Sequence, residues 1–161
     1  MPVHSAGLLL YRGSGKDTEV FLVHPGGPFW AKKDAGAWSL PKGIPDPGED
    51  MLAAAKREFK EETGFVPDGQ FSPLGAFKQP SGKIIHVWSV SGDADPSALK
   101  SNEFEMEWPP KSGKRAHFPE VDRAGWFSGS AALAKLHPGQ SPILRKFFEM
   151  LGAALPDETS A

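Results

Sequence analysis

The sequence predicts an α+β protein with a mixed central β-sheet, and three observations support this class. Two pairs of apolar, strand-like segments are each joined by a short glycine-containing turn. One helix-like segment lies between the two pairs, and two more close the chain. Because strands and helices do not alternate regularly, a sheet built only from repeated βαβ units is not expected.

The first half of the chain is predicted to form a hairpin, a long loop and the central helix. The segments "VHSAGLLLYR" and "TEVFLVH" flank the turn "GSGKD", which is typical of paired strands. The loop "PGGPFWAKKDAGA" follows, and "WSLP" is predicted to be a short strand that ends at Pro41. After the loop "KGIPDPGED", we expect a helix over residues 51–63, with Asp50 as its N-cap and Gly64 as its C′ residue.

The second half is predicted to contain another hairpin, an isolated strand and two helices. "FSPLGAFK" and "KIIHVWSV" pair around "QPSG", and "GDADPSALKS" forms a loop with a short helical turn. "NEFEMEW" alternates as a half-buried strand does, "PPKSGKRAHFPE" is predicted to be a long loop, and "AGWFS" a short strand. "SGSAALAKL" and "SPILRKFFEMLGAAL" are predicted helices, the second with Ser141 as N-cap and Pro142 at N1. We expect one domain over residues 1–155 and a flexible tail at 156–161.

Composition narrows the classes of function. The 161 residues carry a formal net charge of −2, so no global basic field indicates DNA or RNA binding. The chain has no cysteine, which excludes disulfides, thiolate metal sites and a cysteine nucleophile. The run "GLLLY" is too short for a signal peptide, and no stretch approaches the ~20 apolar residues that span a bilayer. We expect a cytoplasmic protein that binds neither membrane nor DNA.

Three glutamates of the central helix share one face. Glu58, Glu61 and Glu62 are related by i, i+3 and i+4, and like charges at i, i+4 destabilise a helix by roughly 0.2–0.5 kcal/mol. The apolar residues expected to face the core lie beside them: Leu52, Ala55 and Phe59. The simplest interpretation of such a face is a solvated surface.

Other features favour a metal site at this face. Arg57 and Lys60 are predicted to point away from the carboxylates, and the loop that enters the helix can bring backbone carbonyls close to them. A ligand set made only of oxygen suits hard divalent cations such as Mg²⁺ or Mn²⁺. A bound cation would turn the repulsion among the three carboxylates into shared coordination.

The segment from Gly43 to Phe65 resembles the Nudix box without a departure. The box pattern is Gly-x5-Glu-x7-Arg-Glu-U-x-Glu-Glu-x-Gly-U, where U is a bulky apolar residue. The matching residues are Gly43, Glu49, Arg57, Glu58, Phe59, Glu61, Glu62, Gly64 and Phe65. The resemblance implies a Nudix-type α/β/α sandwich with a mixed central sheet over most of the chain.

The resemblance also implies roles for individual residues. Glu58, Glu61 and Glu62 match the metal-binding glutamates of the family, and the backbone carbonyl of Lys42 matches a further ligand. Arg57 and Glu49 match a pair that interacts and orients the loop and the helix.

A carboxylate accepts the proton of the attacking water in this family. The box residue Glu61 is our first candidate for this base. A later loop supplies it in some members, so four other residues remain alternatives: Glu103, Glu105, Glu107 and Glu120.

The implied activity is Mg²⁺- or Mn²⁺-dependent hydrolysis of a diphosphate linkage in a nucleoside diphosphate linked to another moiety. The segment "SLPKG" before the box resembles hydrolases of diadenosine polyphosphates and diphosphoinositol polyphosphates, so a (di)nucleoside polyphosphate is the preferred nucleotide-type substrate. Candidate substrate-binding residues are Lys42, Ser5, His86, Trp30 and Trp108.

Three alternatives remain open at this stage. Two are enzymatic: sanitation of oxidised dNTPs and removal of a 5′ pyrophosphate from RNA. The third is a nucleotide-binding sensor on a Nudix fold, but such modules generally lose box glutamates and this chain keeps them all. We expect a monomer or a homodimer.

Overall fold

The computed structural model describes residues 2–153 and 155, which form eight strands and three α-helices. The predicted tail at 156–161 lies outside the described residues. The elements in chain order are β1 (His4–Arg12), β2 (Glu19–Pro25), β3 (Lys42–Gly43), α1 (Met51–Thr63), β4 (Ser72–Lys78), β5 (Ile84–Ser91), β6 (Glu103–Glu107), β7 (Arg115–Pro119), β8 (Val121–Ser128), α2 (Gly129–Lys135) and α3 (Ser141–Met150).

A six-stranded mixed sheet forms the centre of the fold. Its main order is β4-β5-β1-β2-β8, and β3 pairs with β1. β1 and β5 run parallel, whereas the other pairs of this sheet are antiparallel. The predicted mixed sheet and both predicted hairpins are therefore confirmed. β6 and β7 form a separate two-stranded ribbon, called the β6–β7 ribbon below.

β1 and β2 pair only near the turn that joins them, and the chain before α1 lies between their other ends. Gly7 of β1 pairs with Lys42, while Val23 of β2 forms a bridge with Ser39. The prediction of a strand at "WSLP" was therefore wrong. The two-residue strand comes later, because this segment bonds first to β2 and then to β1. The arrangement places the beginning of the box inside the sheet.

Hydrophobic residues cover both faces of the sheet. Along β1, Leu8 and Leu10 belong to the cluster that contains Phe59 of α1. Leu9, which points to the opposite face, belongs to the cluster that contains Phe147 and Phe148 of α3. This alternation is the period-two pattern of a strand buried on both sides. It produces the α/β/α sandwich that the sequence predicts.

The helix α1 has the predicted bounds because its end signals are local. Asp50 accepts a hydrogen bond from the backbone N–H of Ala53 (3.1 Å). Gly64 has a φ of 80°, in the left-handed region that glycine adopts without strain.

The inward face of α1 differs from the predicted one. Ala55 and Phe59 are buried as expected, but Leu52 is only partly buried and Ala54 is fully buried instead. Ala54, Ala55 and Phe59 face the sheet, and Leu52 packs against the same cluster from its edge.

Two other predictions for the second half of the chain were wrong. The last part of the predicted loop "PPKSGKRAHFPE" forms the strand β7, which pairs with β6. Ser141 is not an N-cap: α3 begins at this residue, after a 3₁₀ turn over Pro138–Gln140. In addition, β8 begins at Val121, three residues before the predicted strand.

Within residues 2–153 and 155, no helix is both long enough and apolar enough to cross a lipid bilayer.

We predict that Phe59→Ala lowers the free energy of unfolding by about 3–5 kcal/mol, because it removes a fully buried ring between α1 and the sheet. Urea unfolding followed by circular dichroism measures this change. Phe29→Ala is the matched control, since Phe29 is 60% exposed, and it should cost less than about 1 kcal/mol. Equal effects of the two substitutions would contradict the assigned core.

Candidate active site

The box glycine lies directly against a box carboxylate. A Cβ atom on Gly43 would overlap the carboxyl group of Glu58. Gly43 is held there by its pairing with Ala6 of β1, and Glu58 is held by α1. Close approach, and not an unusual φ, therefore explains why glycine is needed at this position.

Arg57 joins the loop before α1 to two carboxylates of the helix. Its Nε and Nη2 each donate a hydrogen bond of 2.9 Å to Glu49, and Nη2 also reaches the carbonyl of Ile44 (3.3 Å). Its Nη1 donates to Glu58 (3.0 Å) and to both oxygens of Glu61 (3.0 and 3.1 Å). The expected contact between Arg57 and Glu49 is present. The prediction that Arg57 points away from the carboxylates was wrong.

These contacts have an electrostatic consequence. Hydrogen bonds from Arg57 lower the pKa of Glu49, and the interaction with Glu49 is the main cause of the raised pKa of Arg57. Both groups are therefore held in their charged forms. A two-pronged guanidinium–carboxylate pair fixes orientation as well as distance.

Glu62 is not among the residues that Arg57 contacts, and it lines a separate cavity of about 150 Å³. Its pKa is raised to about 8, first by burial and then by the charges of Glu58 and Glu120, while Lys42 opposes the shift. The cavity is lined by Val23, Pro25, Ser39, Lys42, Glu62, Glu120 and Val121. Among the described residues, neither Glu62 nor Glu120 has a salt-bridge partner.

Two neighbouring carboxyl groups, Glu58 and Glu120, also have raised pKa values. The pKa of Glu58 is raised, first by burial, although Arg57 opposes the shift. Glu120 is exposed at the rim of the cavity, yet partial desolvation and the charge of Glu61 raise its pKa as well. A cation placed among these groups would relieve both the desolvation and the repulsion.

The carboxylate oxygens of the box glutamates are donor atoms that suit a hard divalent cation. Among residues 2–153 and 155, no three carboxylate or imidazole groups are already gathered as metal ligands. Nevertheless, Glu58, Glu61 and Glu62 supply only oxygen donors, and Glu62 is desolvated close to two other carboxyl groups, with Lys42 as the opposing charge. The role of the Lys42 carbonyl stays a prediction.

Four carboxylates that follow the box in the sequence are alternative candidates for the general base. Of these four, Glu120 alone lines the cavity that contains Glu62. Glu105 accepts a hydrogen bond from Arg115 (2.7 Å), and Glu107 accepts one from the backbone N–H of Lys111 (2.8 Å). Glu103 is exposed on β6. Those three residues therefore belong to the surface of the β6–β7 ribbon.

His86 forms a pair with a residue that the sequence analysis did not single out. His4 Nδ1 and His86 Nε2 are 2.9 Å apart, and the two rings stack with centroids 5.2 Å apart. Ala6 pairs with His86 on one side and with Gly43 on the other, so His86 lies two strands, or about 10 Å, from the box glycine. Ser5 is buried on the face of β1 opposite α1, away from the carboxylates.

Trp30 and Trp108 lie outside the cavity of Glu62. Trp30 is 38% exposed, and the Lys33 ammonium lies 4.9 Å from the centre of its ring. Trp108 makes an edge contact with Phe29, at a centroid distance of 5.5 Å. The contact between Phe29 and Trp108 connects the long loop after β2 with the β6–β7 ribbon.

Two buried polar residues that hold the site in place were missed by sequence reasoning. Gln140 accepts a hydrogen bond from the N–H of Leu40 (3.1 Å) and donates one to Ser39 (2.9 Å). It thus ties the segment before the box to the connection between α2 and α3. No local pattern announces this residue, since its partners are about a hundred positions away.

His24 has a similar role at the long loop. Its ring is fully buried, with Nε2 2.6 Å from the carbonyl of Lys33 and Nδ1 2.8 Å from Asp122. The loop that carries Trp30 is therefore fastened to β2 and β8.

Comparison with known proteins agrees with this geometry. The profile of the NUDIX domain matches residues 1–147, so the chain belongs to the NUDIX family. Nudix hydrolase 7 from Arabidopsis thaliana is 36% identical over 83 residues, covering 52% of this chain and 27% of that protein. The 8-oxo-(d)GTP phosphatase from Mycolicibacterium smegmatis is 29% identical over 160 residues, covering 90% of this chain and 41% of that protein.

Solved structures show the same fold. The binary complex of a C. elegans Ap4A hydrolase superposes with a TM-score of 0.63 at 23% identity, covering 92% of this chain and 98% of that one. The chain spans less than half the length of the two curated relatives above.

We predict that Gly43→Ala weakens Mn²⁺ binding about tenfold, because its Cβ would displace the carboxylate of Glu58. Isothermal titration calorimetry measures the affinity. The melting temperature should change little, since the end of a flexible side chain can move aside. Gly69→Ala, outside the box, is the control, and an unchanged Mn²⁺ affinity in Gly43→Ala would exclude Glu58 as a ligand.

A second prediction concerns the histidine pair. Burial and the neighbouring His4 lower the pKa of His86 below 6.5, so the unfolded chain takes up a proton there more readily than the folded one. The stability from this pair is therefore complete above pH 6.5 and is lost as the pH falls through the folded-state pKa. Urea unfolding at pH 7.5 and pH 5 should show a smaller pH dependence in His86→Asn. The exposed His117→Asn should keep the dependence of the original protein.

Proposed function

We propose that this protein is a hydrolase that uses a divalent cation, Mg²⁺ or Mn²⁺, to cleave a diphosphate linkage in a nucleoside polyphosphate, with dinucleoside polyphosphates preferred. The observation that carries the proposal is the grouping of Glu58, Glu62 and Glu120 around the β3 segment, with raised pKa values that a cation would lower. On a fully solvated helix face, Glu58 and Glu62 would lack the desolvation that raises both pKa values.

Each box residue has a distinct part in the proposed reaction. Glu58, Glu61 and Glu62 would hold the cation, which would neutralise phosphate charge and lower the pKa of a water. Arg57 fixes the positions of Glu58 and Glu61 and, through Glu49, the course of the loop. These positions decide where the diphosphate lies relative to the helix.

Lys42 is the proposed phosphate contact on the opposite wall. Its side chain lines the same cavity as Glu62 and Glu120, and its charge already acts on Glu62. An ammonium group there can pair with a phosphate oxygen once the carboxylates have bound their cation. The roles of Trp30, Trp108, Ser5 and His86 in substrate binding remain proposals from the sequence.

For the general base, the geometry favours Glu120 over our first candidate, Glu61. Arg57 Nη1 donates to both oxygens of Glu61, so both oxygens already accept hydrogen bonds from a guanidinium. Glu120 has a raised pKa, lies at the rim of the cavity and has no salt-bridge partner among the described residues. It can accept the proton of a water that attacks the phosphorus.

A second candidate is hydrolysis of oxidised nucleoside triphosphates. It is favoured by the similarity to the mycobacterial 8-oxo-(d)GTP phosphatase, which covers 90% of this chain. The two functions differ in their products, since a dinucleoside tetraphosphate gives ATP and an oxidised dNTP gives a monophosphate.

We expect the protein to release ATP from diadenosine tetraphosphate with Mg²⁺ or Mn²⁺, and to do so faster than it hydrolyses 8-oxo-dGTP. Chromatography of the products measures both rates. Glu62→Gln should reduce turnover by about 10² or more while leaving the melting temperature within a few degrees. Glu120→Gln should reduce kcat more than Glu105→Gln, its control on the ribbon. If no diphosphate is cleaved although nucleotides bind, the protein is a sensor.

A further inference from the structure

A second cavity adjoins the carboxylates on the outer side of α1. It has a volume of about 480 Å³ and lies between the last turns of the helix and the segment 100–102. Arg57, Lys60 and Glu61 border it from the helix, and Lys100 borders it from the other wall. Glu61 thus belongs both to the carboxylate group and to this cavity.

Most of the charged residues that border this cavity are cationic, whereas most of those that border the cavity of Glu62 are anionic. Arg57 is occupied by Glu49, Glu58 and Glu61. In contrast, neither Lys60 nor Lys100 has a salt-bridge partner within the part of the chain that the structure describes. Lys60 and Lys100 are both exposed and border the same concave surface, so it favours an anion in a chain whose net charge is −2.

The cavity is built on fixed backbone. The N–H of Lys100 donates to the carbonyl of Thr63 (2.9 Å), and the N–H of Asn102 donates to the carbonyl of Glu61 (2.7 Å). These two bonds hold the segment 100–102 against the end of α1. The distance between the two cavity walls is therefore set by the main chain, and only the lysine side chains need to adjust to a ligand.

We propose that this cavity is a subsite for the phosphates that extend beyond the cleaved linkage, and that Lys60 and Lys100 bind them. The inference rests on the proposed function, because it assumes that the linkage lies at the carboxylates. Arg57 and Glu61 border the cavity, and Arg57 also bonds to Glu58, so the cavity begins one side chain away from the carboxylates proposed to hold the linkage. Lysine binds phosphate as a point charge and tolerates a flexible chain. The protein therefore selects substrates by the number of phosphates, with four preferred over two.

The first experiment measures binding without catalysis. Inorganic tripolyphosphate is titrated into the protein in EDTA by calorimetry, so that no divalent cation can bridge it to the carboxylates. The double variant Lys60→Met/Lys100→Met should bind about tenfold more weakly than the original protein. Lys56→Met is the matched control, since Lys56 is on the same helix with its ammonium 4.3 Å from the centre of the Phe71 ring, and should bind as the original does.

The second experiment compares diadenosine tetraphosphate with diadenosine diphosphate as substrates. The double variant should lower the ratio of their kcat/KM values about tenfold, through a raised KM for the longer substrate and with kcat unchanged. Equal losses with both substrates, or equal tripolyphosphate affinity in all three proteins, would overturn the subsite. If the original protein cleaves neither substrate, the proposed function fails, and the tripolyphosphate titration still decides whether the cavity binds phosphates.

Discussion

The contacts of one guanidinium determine how the loop, the helix and the carboxylates are arranged. Arg57 forms a bidentate ion pair with Glu49 and donates further hydrogen bonds to Glu58 and Glu61. Its side chain is partly exposed, so the contribution of these ion pairs to stability is modest. Their importance is geometric, because an arginine with several charge-assisted bonds fixes directions as well as distances. The loop before α1 follows the course that these bonds allow.

The second constraint is the separation of β1 from β2. The segment before the box lies between these two strands and bonds to both of them. Gln140 accepts a hydrogen bond from Leu40 in the same segment. Gly43 is thereby brought against Glu58 without any strained backbone. The strand that faces the acidic residues is therefore positioned by the hydrogen bonds of the sheet.

The sequence predicted the features that depend on neighbouring residues. The bounds of α1 follow from Asp50 and Gly64, and the grouping of its glutamates follows from helical spacing. The features that depend on distant residues could not be predicted in this way. The strand β7 forms only because β6 is beside it, and the direction of Arg57 depends on where the loop brings Glu49. The contacts of His24 and Gln140 likewise join positions that the chain order keeps far apart.

The position of the β6–β7 ribbon outside the main sheet has an evolutionary consequence. Its base is hydrogen-bonded to the end of α1 and to the long loop, through Asn102 and Glu120, whereas its other end carries Trp108. Insertions or replacements toward that end would not interrupt the ladders of the six-stranded sheet or the packing of Phe59. Sequence changes at that end of the ribbon therefore carry a small cost to folding, whereas changes in the helix that carries Phe59 do not.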